Sequence, residues 1–306
     1  MPTTNTGLWL QQYVEPQLLE DFRNYNDDFI GVLKAPNPNA VTADGIRFNK
    51  LINNVGFYVN KSDDFTTSKM TGEKTLVEWD KLDTTPTECT DSEARNLAFN
   101  KESAIKEEHF KSFKIGVRDY ALNKIAPSEH KAGKMPVIRT TGVVINGRKR
   151  LTYADMLNFL EEVASLNLTD QEALYMILNT THRMDLMQDK AGSNSHKDNL
   201  IFDPLTGKIK RFYNLNLFEN ATTPLYGSNG KLKSLGSTTV QGDQKGSIFF
   251  YQPNTVYHIE DVKVQYKPMS GDTRSADPKS ELRLHAYGLC DKVQEHGFGA
   301  IISDNA

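Results

Sequence analysis

The sequence predicts an α+β fold with long non-local pairings. Three observations predict it. Apolar residues recur at helical spacing over 102–125, a continuous apolar run from Leu174 to Leu178 reads as a buried central strand, and alternating segments return late, at 247–251, 262–266, 282–287 and 298–303. A hydrophobic content of 38% and a net charge of -3 over 306 residues support a packed core and argue against disorder. No apolar run approaches the roughly 18 residues of a membrane span, and Met1 to Leu10 lacks the basic and apolar regions of a secretory signal.

Residues 1–40 read as an arm, an appendage outside the core. Trp9, Tyr13, Leu18 and Phe22 share a helical stripe that Pro16 interrupts, and Pro36 and Pro38 end it. Residues 41–90 read as extended chain: Ile46 and Phe48 alternate, as do Phe57 and Val59, and Leu76 to Trp79 forms the return. The tip between them, Lys61 to Lys74, is polar, so the hairpin needs a partner surface to stand in water. Residues 102–125 form a rod of about 36 Å, with Ile105, His109, Phe110, Phe113, Val117, Tyr120, Ala121 and Ile125 as its stripe and Pro127 as its stop.

Next come a strand, a turn at Asn146-Gly147 and a basic end, Arg148-Lys149-Arg150. Thr152 and Asp155 form a capping box for a second helix, with Met156, Leu157, Leu160, Val163 and Ala164 as its expected buried stripe. Thr180 or Thr181 opens a third helix, 189–207 and 227–242 read as loops, and alternation resumes over 209–218. Charge is segregated. The arm holds five acids and two bases, whereas Arg95 to Arg150 holds 13 Lys/Arg against 5 Asp/Glu. That segment offers either a solvated face or one that meets acidic neighbours or a polyanion, with Lys106, Lys111, Lys114 and Arg118 as its basic helical face.

Two cysteines, Cys89 and Cys290, exclude a disulfide framework and read as buried free thiols. No phosphate loop, dinucleotide fingerprint, zinc-protease helix or nucleophile elbow occurs. His182 and Asp185 lie one helical turn apart with no third ligand nearby, so they read as a surface or capping pair. No catalytic residue, cofactor or metal is expected.

The order of these parts carries a resemblance. Asp91-Ser92-Glu93, Glu107-Glu108-His109 and Asp119 to Pro127 resemble the spine-helix region of the tailed-bacteriophage major capsid proteins of the Hong-Kong-97-type fold. Pro136 to Gly142 is similar to that family's crossing into the axial domain, and Leu178 to Leu186 to its central strand and following helix. Arg283 to Gly288 and His296 to Ile302 resemble its last strands, so the resemblance spans nearly the whole chain through order and spacing.

The resemblance implies an N-arm over 1–40, an extended loop over 41–80, a peripheral domain over 81–136 and 260–290, and an axial domain over 137–259 and 291–306. It implies a structural protein and not an enzyme: hexamers and pentamers that close an icosahedral shell around double-stranded DNA, assembled in the host bacterial cytoplasm and carried in the virion. Portal and decoration proteins would be its partners, with packaged DNA held by non-specific contact and no membrane involved. Trp9, Phe57, Lys61, Lys69, Lys74 and Trp79 are the expected inter-subunit contacts. Trp79 and Phe57 read equally as ordinary packing at the hairpin base.

Some relatives join a loop Lys to a neighbour's Asn. Lys61, Lys69 and Lys74 are candidate lysines and Glu281 stands where the helping acid would sit, but Lys267 to Glu281 holds no Asn, so no cross-link is expected and denaturing gels of particles should show no ladder. The arm begins almost at Met1, which implies an uncleaved product and a separate scaffolding protein. Deleting Lys61 to Lys74 should leave a folded, soluble protein that forms no shells. The alternatives are an encapsulin-type nanocompartment shell, a soluble α+β enzyme, or another virion component. Particles with a protein cargo mark the first, converging acids or a metal cluster the second, and absence of the long central helix the third.

Overall fold

The computed structural model of the chain describes residues 29–52, 59–60, 62, 71–96, 101–191, 199–203 and 205–305. Trp9, Phe57, Lys61 and Lys69 lie outside the described residues. Strands β1 (Val41–Thr42), β2 (Gly45–Ile52) and β3 (Thr71–Glu78) open the described chain, followed by β4 (Asp80–Asp83), β5 (Thr87–Thr90) and helices α1 (Asp91–Asn96) and α2 (Lys101–Ile125). Then come β6 (Val137–Arg139), β7 (Val144–Ile145), β8 (Arg148–Lys149), α3 (Tyr153–Ser165), β9 (Leu174–Asn179) and α4 (Thr180–Ala191). The remaining strands are β10 (Leu200–Phe202), β11 (Ile209–Phe212), β12 (Leu215–Asn220), β13 (Leu225–Tyr226), β14 (Gln244–Tyr251), β15 (Thr255–Ile259), β16 (Lys263–Lys267), β17 (Lys279–Lys292) and β18 (Phe298–Ile302), with short 3-10 turns at Gln252–Asn254 and Met269–Gly271.

β2 and β3 pair antiparallel along their whole length, from Gly45 opposite Glu78 to Ile52 opposite Thr71. The alternation predicts a hairpin here, but the return strand begins at Thr71 and not at Leu76, so Thr71 to Lys74 of the expected polar tip lie in the ladder; β1 is added on the far side of β2. An outer sheet is built on β17. β15 and β16 lie along one edge of it and β4 and β5 along the other, since His285 faces both Lys263 and Asp83. A larger inner sheet runs β10-β11-β12-β9-β14-β18-β6, with β13 on β14; β9–β12 and β18–β6 are its parallel pairs.

The carboxyl-terminal half of α2 is wedged between the two sheets. Phe113, Val117, Ala121, Leu122 and Ile125 share one buried cluster with Leu284, Ala286 and Cys290 of the outer sheet and with Ile177, Ile248, Phe250 and Ala300 of the inner one. Phe29, Ile30 and Leu33, at the end of the arm, join it, which corrects the reading of the arm as an appendage outside the core. The opposite face of the inner sheet meets α3 and α4 through Met176, Leu178, Phe249 and Ile301 against Met156, Phe159, Val163 and Leu186. Strict alternation on β14 thus sends Ile248 and Phe250 one way and Phe249 the other. Coverage on both faces is why Leu174 to Leu178 reads as an unbroken apolar run.

Local signals hold where they are local. Thr152 and Asp155 form the capping box as spaced, and Asn146 (φ 51) and Gly147 (φ 75) make the tight turn between β7 and β8. The stripe of α3 differs from expectation: Phe159 is buried, whereas Leu157 is 38% exposed, because the helix lays Met156, Phe159 and Val163 on the sheet. Segment 189–207 contains more structure than a loop, with α4 continuing to Ala191 and β10 beginning at Leu200. Residues 209–218 split into β11 and β12 at Tyr213 (φ 50). Both cysteines are buried.

Lys292 closes the carboxyl end of α2. Its Nζ donates to the carbonyls of Lys124 (2.6 Å) and Ala126 (2.9 Å), where the helix leaves acceptors unpaired and its dipole is negative. Burial pushes its pKa down. Lys292→Met keeps the aliphatic stem and removes both bonds. Urea unfolding should record a loss of about 2 kcal/mol, in the range for hydrogen bonds to charged groups.

Candidate assembly surfaces

The base of the hairpin is held by a small cluster of its own. Ile46, Val256 and Leu289 are buried together, with Val41, Val77, Trp79 and Val293 packed around them. The Trp79 indole donates from Nε1 to the carbonyl of Thr42 (3.1 Å), and its ring lies 5.6 Å from that of His258 on β15. Trp79 therefore seats the hairpin on the edge of the outer sheet. Gly45 completes the seat: its φ of +147° and a hypothetical Cβ only 2.1 Å from the Val77 carbonyl oxygen leave room for glycine alone. Lys74 lies on β3 opposite Asn49, in the half of the ladder farther from this seat.

The basic face of α2 is less free than the sequence suggests. Lys111 pairs with Glu108 (3.3 Å), Lys114 lies 4.2 Å over the Phe110 ring, and Arg118 donates from Nη2 to Thr222 Oγ1 (2.9 Å) and lies 3.5 Å from Asp119. Lys106 is half-buried. Other bases of the positive segment reach distant acids of the same chain: Lys124 to Asp80 (2.8 Å), Lys131 to Glu295 (2.7 Å), and Arg139 and Lys149 to Asp304 (3.0 and 2.7 Å). Exposed pairs of this kind contribute little stability, but they remove positive field from the surface. At Asp80, burial pushes the carboxyl up, yet hydrogen bonds from Lys124 and Tyr120 outweigh it and hold the group below its ordinary value. Burial, and then the Asp80 contact, drive the Tyr120 phenol well above its own.

His182 and Asp185 correct the surface or capping pair expected from their spacing. Both are buried, and they do different work. Asp185 accepts two bonds from Arg148 (2.6 and 3.0 Å) and one from the Leu151 backbone N–H (3.1 Å), which fastens the β7–β8 hairpin to α4. The imidazole of His182 lies between two serines. Among the described residues no group of three His, Cys, Asp or Glu side chains is arranged to hold a metal.

Two surface features escaped the sequence. A groove of about 360 Å³ runs between α2 and β4, floored by Leu82, Phe113, Val117 and Tyr120, with Gly116 opening its wall and Leu235 at its lip. Apolar side chains also project singly, notably Leu205 (94% exposed), Val143 (76%) and Val240 (61%). Gly116 inside a helix was the one local hint of the groove.

No family model matches this sequence, and no curated protein does. Solved structures do. The capsid of the cyanophage P-SCSP1u superposes with a TM-score of 0.60 at 12% identity, over 90% of this chain and 87% of that one. The capsid of Ralstonia phage GP4 gives 0.58 at 9% identity, over 90% and 87%, and the capsid of the native GTA particle 0.54 at 12%, over 91% and 90%. The chain has the fold of the tailed-phage capsid structures, a mixture of helix and sheet, at a sequence distance where only the fold is shared visibly. No helix among the described residues is long and apolar enough to cross a membrane.

Proposed function

We propose that this chain is a major capsid protein of a tailed bacteriophage, a structural component of the virion that assembles as hexamers and pentamers into an icosahedral shell around double-stranded DNA. One observation carries the reading: the fold shared with phage capsids extends over nine-tenths of the chain. On this reading 1–40 is the arm, 41–80 the extended loop, 81–136 with 260–290 the peripheral part, and 137–259 with 291–306 the axial part.

The hairpin beyond its seat is the surface for a neighbour, with Lys74 and the loop residues Phe57, Lys61 and Lys69 as contacts and Trp9 contributing from the arm. Repeated weak contacts suffice, because a closed shell adds them over many copies. The partly neutralised basic segment suits a wall that contains DNA without gripping it, since net phosphate neutralisation sets affinity. Shell building would use a separate scaffolding protein and a portal in the host cytoplasm.

The test is electron microscopy of the full chain produced with its genomic neighbours. Closed shells holding nuclease-protected double-stranded DNA are expected. A monomer that never assembles, or small particles filled with a protein cargo, would refute the reading.

A further inference from the structure

We propose that the fold contains a pair of proton-operated latches, one per sheet, in which a buried imidazole bridges two hydroxyls and releases its helix from the sheet when acid adds a second ring proton. In the inner sheet, His182 of α4 places Nδ1 at 2.7 Å from Ser247 Oγ and Nε2 at 2.9 Å from Ser303 Oγ. In the outer sheet, His109 of α2 places Nδ1 at 2.7 Å from Thr84 Oγ1 and Nε2 at 2.9 Å from Thr87 Oγ1. The two arrangements share a further feature. The hydroxyl at Nδ1 already accepts a backbone N–H, from Asn179 in one case and from Leu284 in the other, each at 2.9 Å.

That third bond sets the direction of the protons. A hydroxyl has one proton to give. With a backbone N–H already on its oxygen, the hydroxyl is best used as a donor to Nδ1, and the latch as proposed takes that tautomer, in which the ring carries its own proton on Nε2 and donates it to the second hydroxyl. A doubly protonated ring has no acceptor left. Nδ1–H then takes the second lone pair of an oxygen that already receives an N–H, and the hydroxyl must turn its own proton away from the ring. At His182 this happens where the ring, Ser247 and Ser303 are all buried, so the displaced proton loses its partner and the bridge opens. At His109 the threonines are nearer to water, so that latch is the softer one.

The charged surroundings leave the balance with burial. Around His182, Asp185 on the same helix and Asp155 on α3 favour the proton, and Arg148 on β8 opposes it. Asp185 is itself committed to Arg148 and Asp155 to the backbone N–H of Thr152. Around His109, Asp83 on β4 is engaged by Arg283 and His285 of β17, Glu88 on β5 by Lys279, and Glu108 on α2 by Lys111. Burial, the largest cause, lowers the His182 ring to about 4 and His109 in the same direction. The sign follows: a group whose folded pKa lies below its ordinary value near 6.5 contributes full stability above 6.5, and loses it as pH falls toward 4. Between about pH 7 and pH 5 the opening equilibrium at His182 should rise roughly 20-fold.

The experiment is hydrogen exchange of the full chain at about pH 7 and pH 5, corrected for intrinsic rates, read at the Asn179 and Leu284 amides. Wild type should lose roughly 20-fold of its protection at Asn179, with a smaller loss at Leu284. His182→Gln and His109→Gln, whose amides bond without titrating, should each flatten the response at their own sheet only. Equal pH responses in wild type and variants would overturn the proposal. Should a variant not fold, a nuclear-magnetic-resonance titration of the wild-type imidazoles decides. Both rings staying neutral until protection falls supports the latches, and ordinary titration near pH 6.5 with protection intact overturns them.

Discussion

Gly45→Val is expected to give a soluble, folded protein that forms no shells. The added Cβ would lie 2.1 Å from the carbonyl oxygen of Val77, 2.9 Å from its carbon and 3.0 Å from the Cα of Glu78. All three are backbone atoms of the paired strand, so no side chain can swing aside to make room. The left-handed φ of +147° adds a strain that a β-branched residue cannot relieve, on the order of 1–3 kcal/mol. Relief requires the first rung of the hairpin, Gly45 opposite Glu78, to open, which withdraws Ile46 from its small cluster with Val256 and Leu289. The two large clusters on the inner sheet and α2 do not include these residues, so circular dichroism and the main unfolding transition should change little. Sedimentation should show no particles. Trp79→Ala, which removes the indole from the same seat, should reproduce the loss in weaker form. Normal shells from Gly45→Val would mean that the orientation of the hairpin is not what assembly needs.

Asp185→Ala should be the most destabilising single polar substitution in the inner half of the molecule, by about 3–5 kcal/mol. The carboxylate is 4% exposed and satisfies two N–H groups of Arg148 and the backbone N–H of Leu151 together. Its removal leaves a largely buried guanidinium without its counter-charge and a buried amide without an acceptor. Domains of ordinary size have about 5–15 kcal/mol in total, so the urea midpoint should fall sharply. Asp185→Asn keeps one acceptor and should cost about half as much. A change under about 1 kcal/mol for the alanine variant would show that water or a repacked Arg148 replaces the carboxylate. Because the pair is buried, added salt should alter the difference little.

The parts of the fold legible in the sequence were those whose cause is local. The stripe of α2, the Thr152–Asp155 capping box and the Asn146-Gly147 turn each depend on residues within a few positions of one another. β15 was not legible as a strand, and the extended reading of 41–90 did not show that β4 and β5 belong to a sheet with β17. Their partner β17 lies up to about two hundred residues away from β4 and β5, and a short strand takes its identity from the strand beside it. The candidate surface divides the same way. The hairpin and its need for support were visible in a polar tip between alternating segments. The seat made by Ile46, Trp79, Val256 and Leu289 was not, since it joins strands from both ends of the chain.

Charge and burial show the division most sharply. The excess of bases between Arg95 and Arg150 is a fact of composition, and periodicity alone places several of them on one side of a helix. Their partial neutralisation by Asp80, Asp185, Glu295 and Asp304 belongs to the folded chain, because a Coulomb interaction depends on distance in space and not on separation in sequence. His182 and Asp185 looked alike as a polar pair one turn apart. Packing α4 against β14 and the β7–β8 hairpin separated them into a neutral ring between two serines and a carboxylate holding an arginine. Periodicity and turn chemistry are short-range and survive in the bare string of residues. Desolvation and charge pairing are set by which distant segments arrive at the same place, and only the assembled sheets decide that.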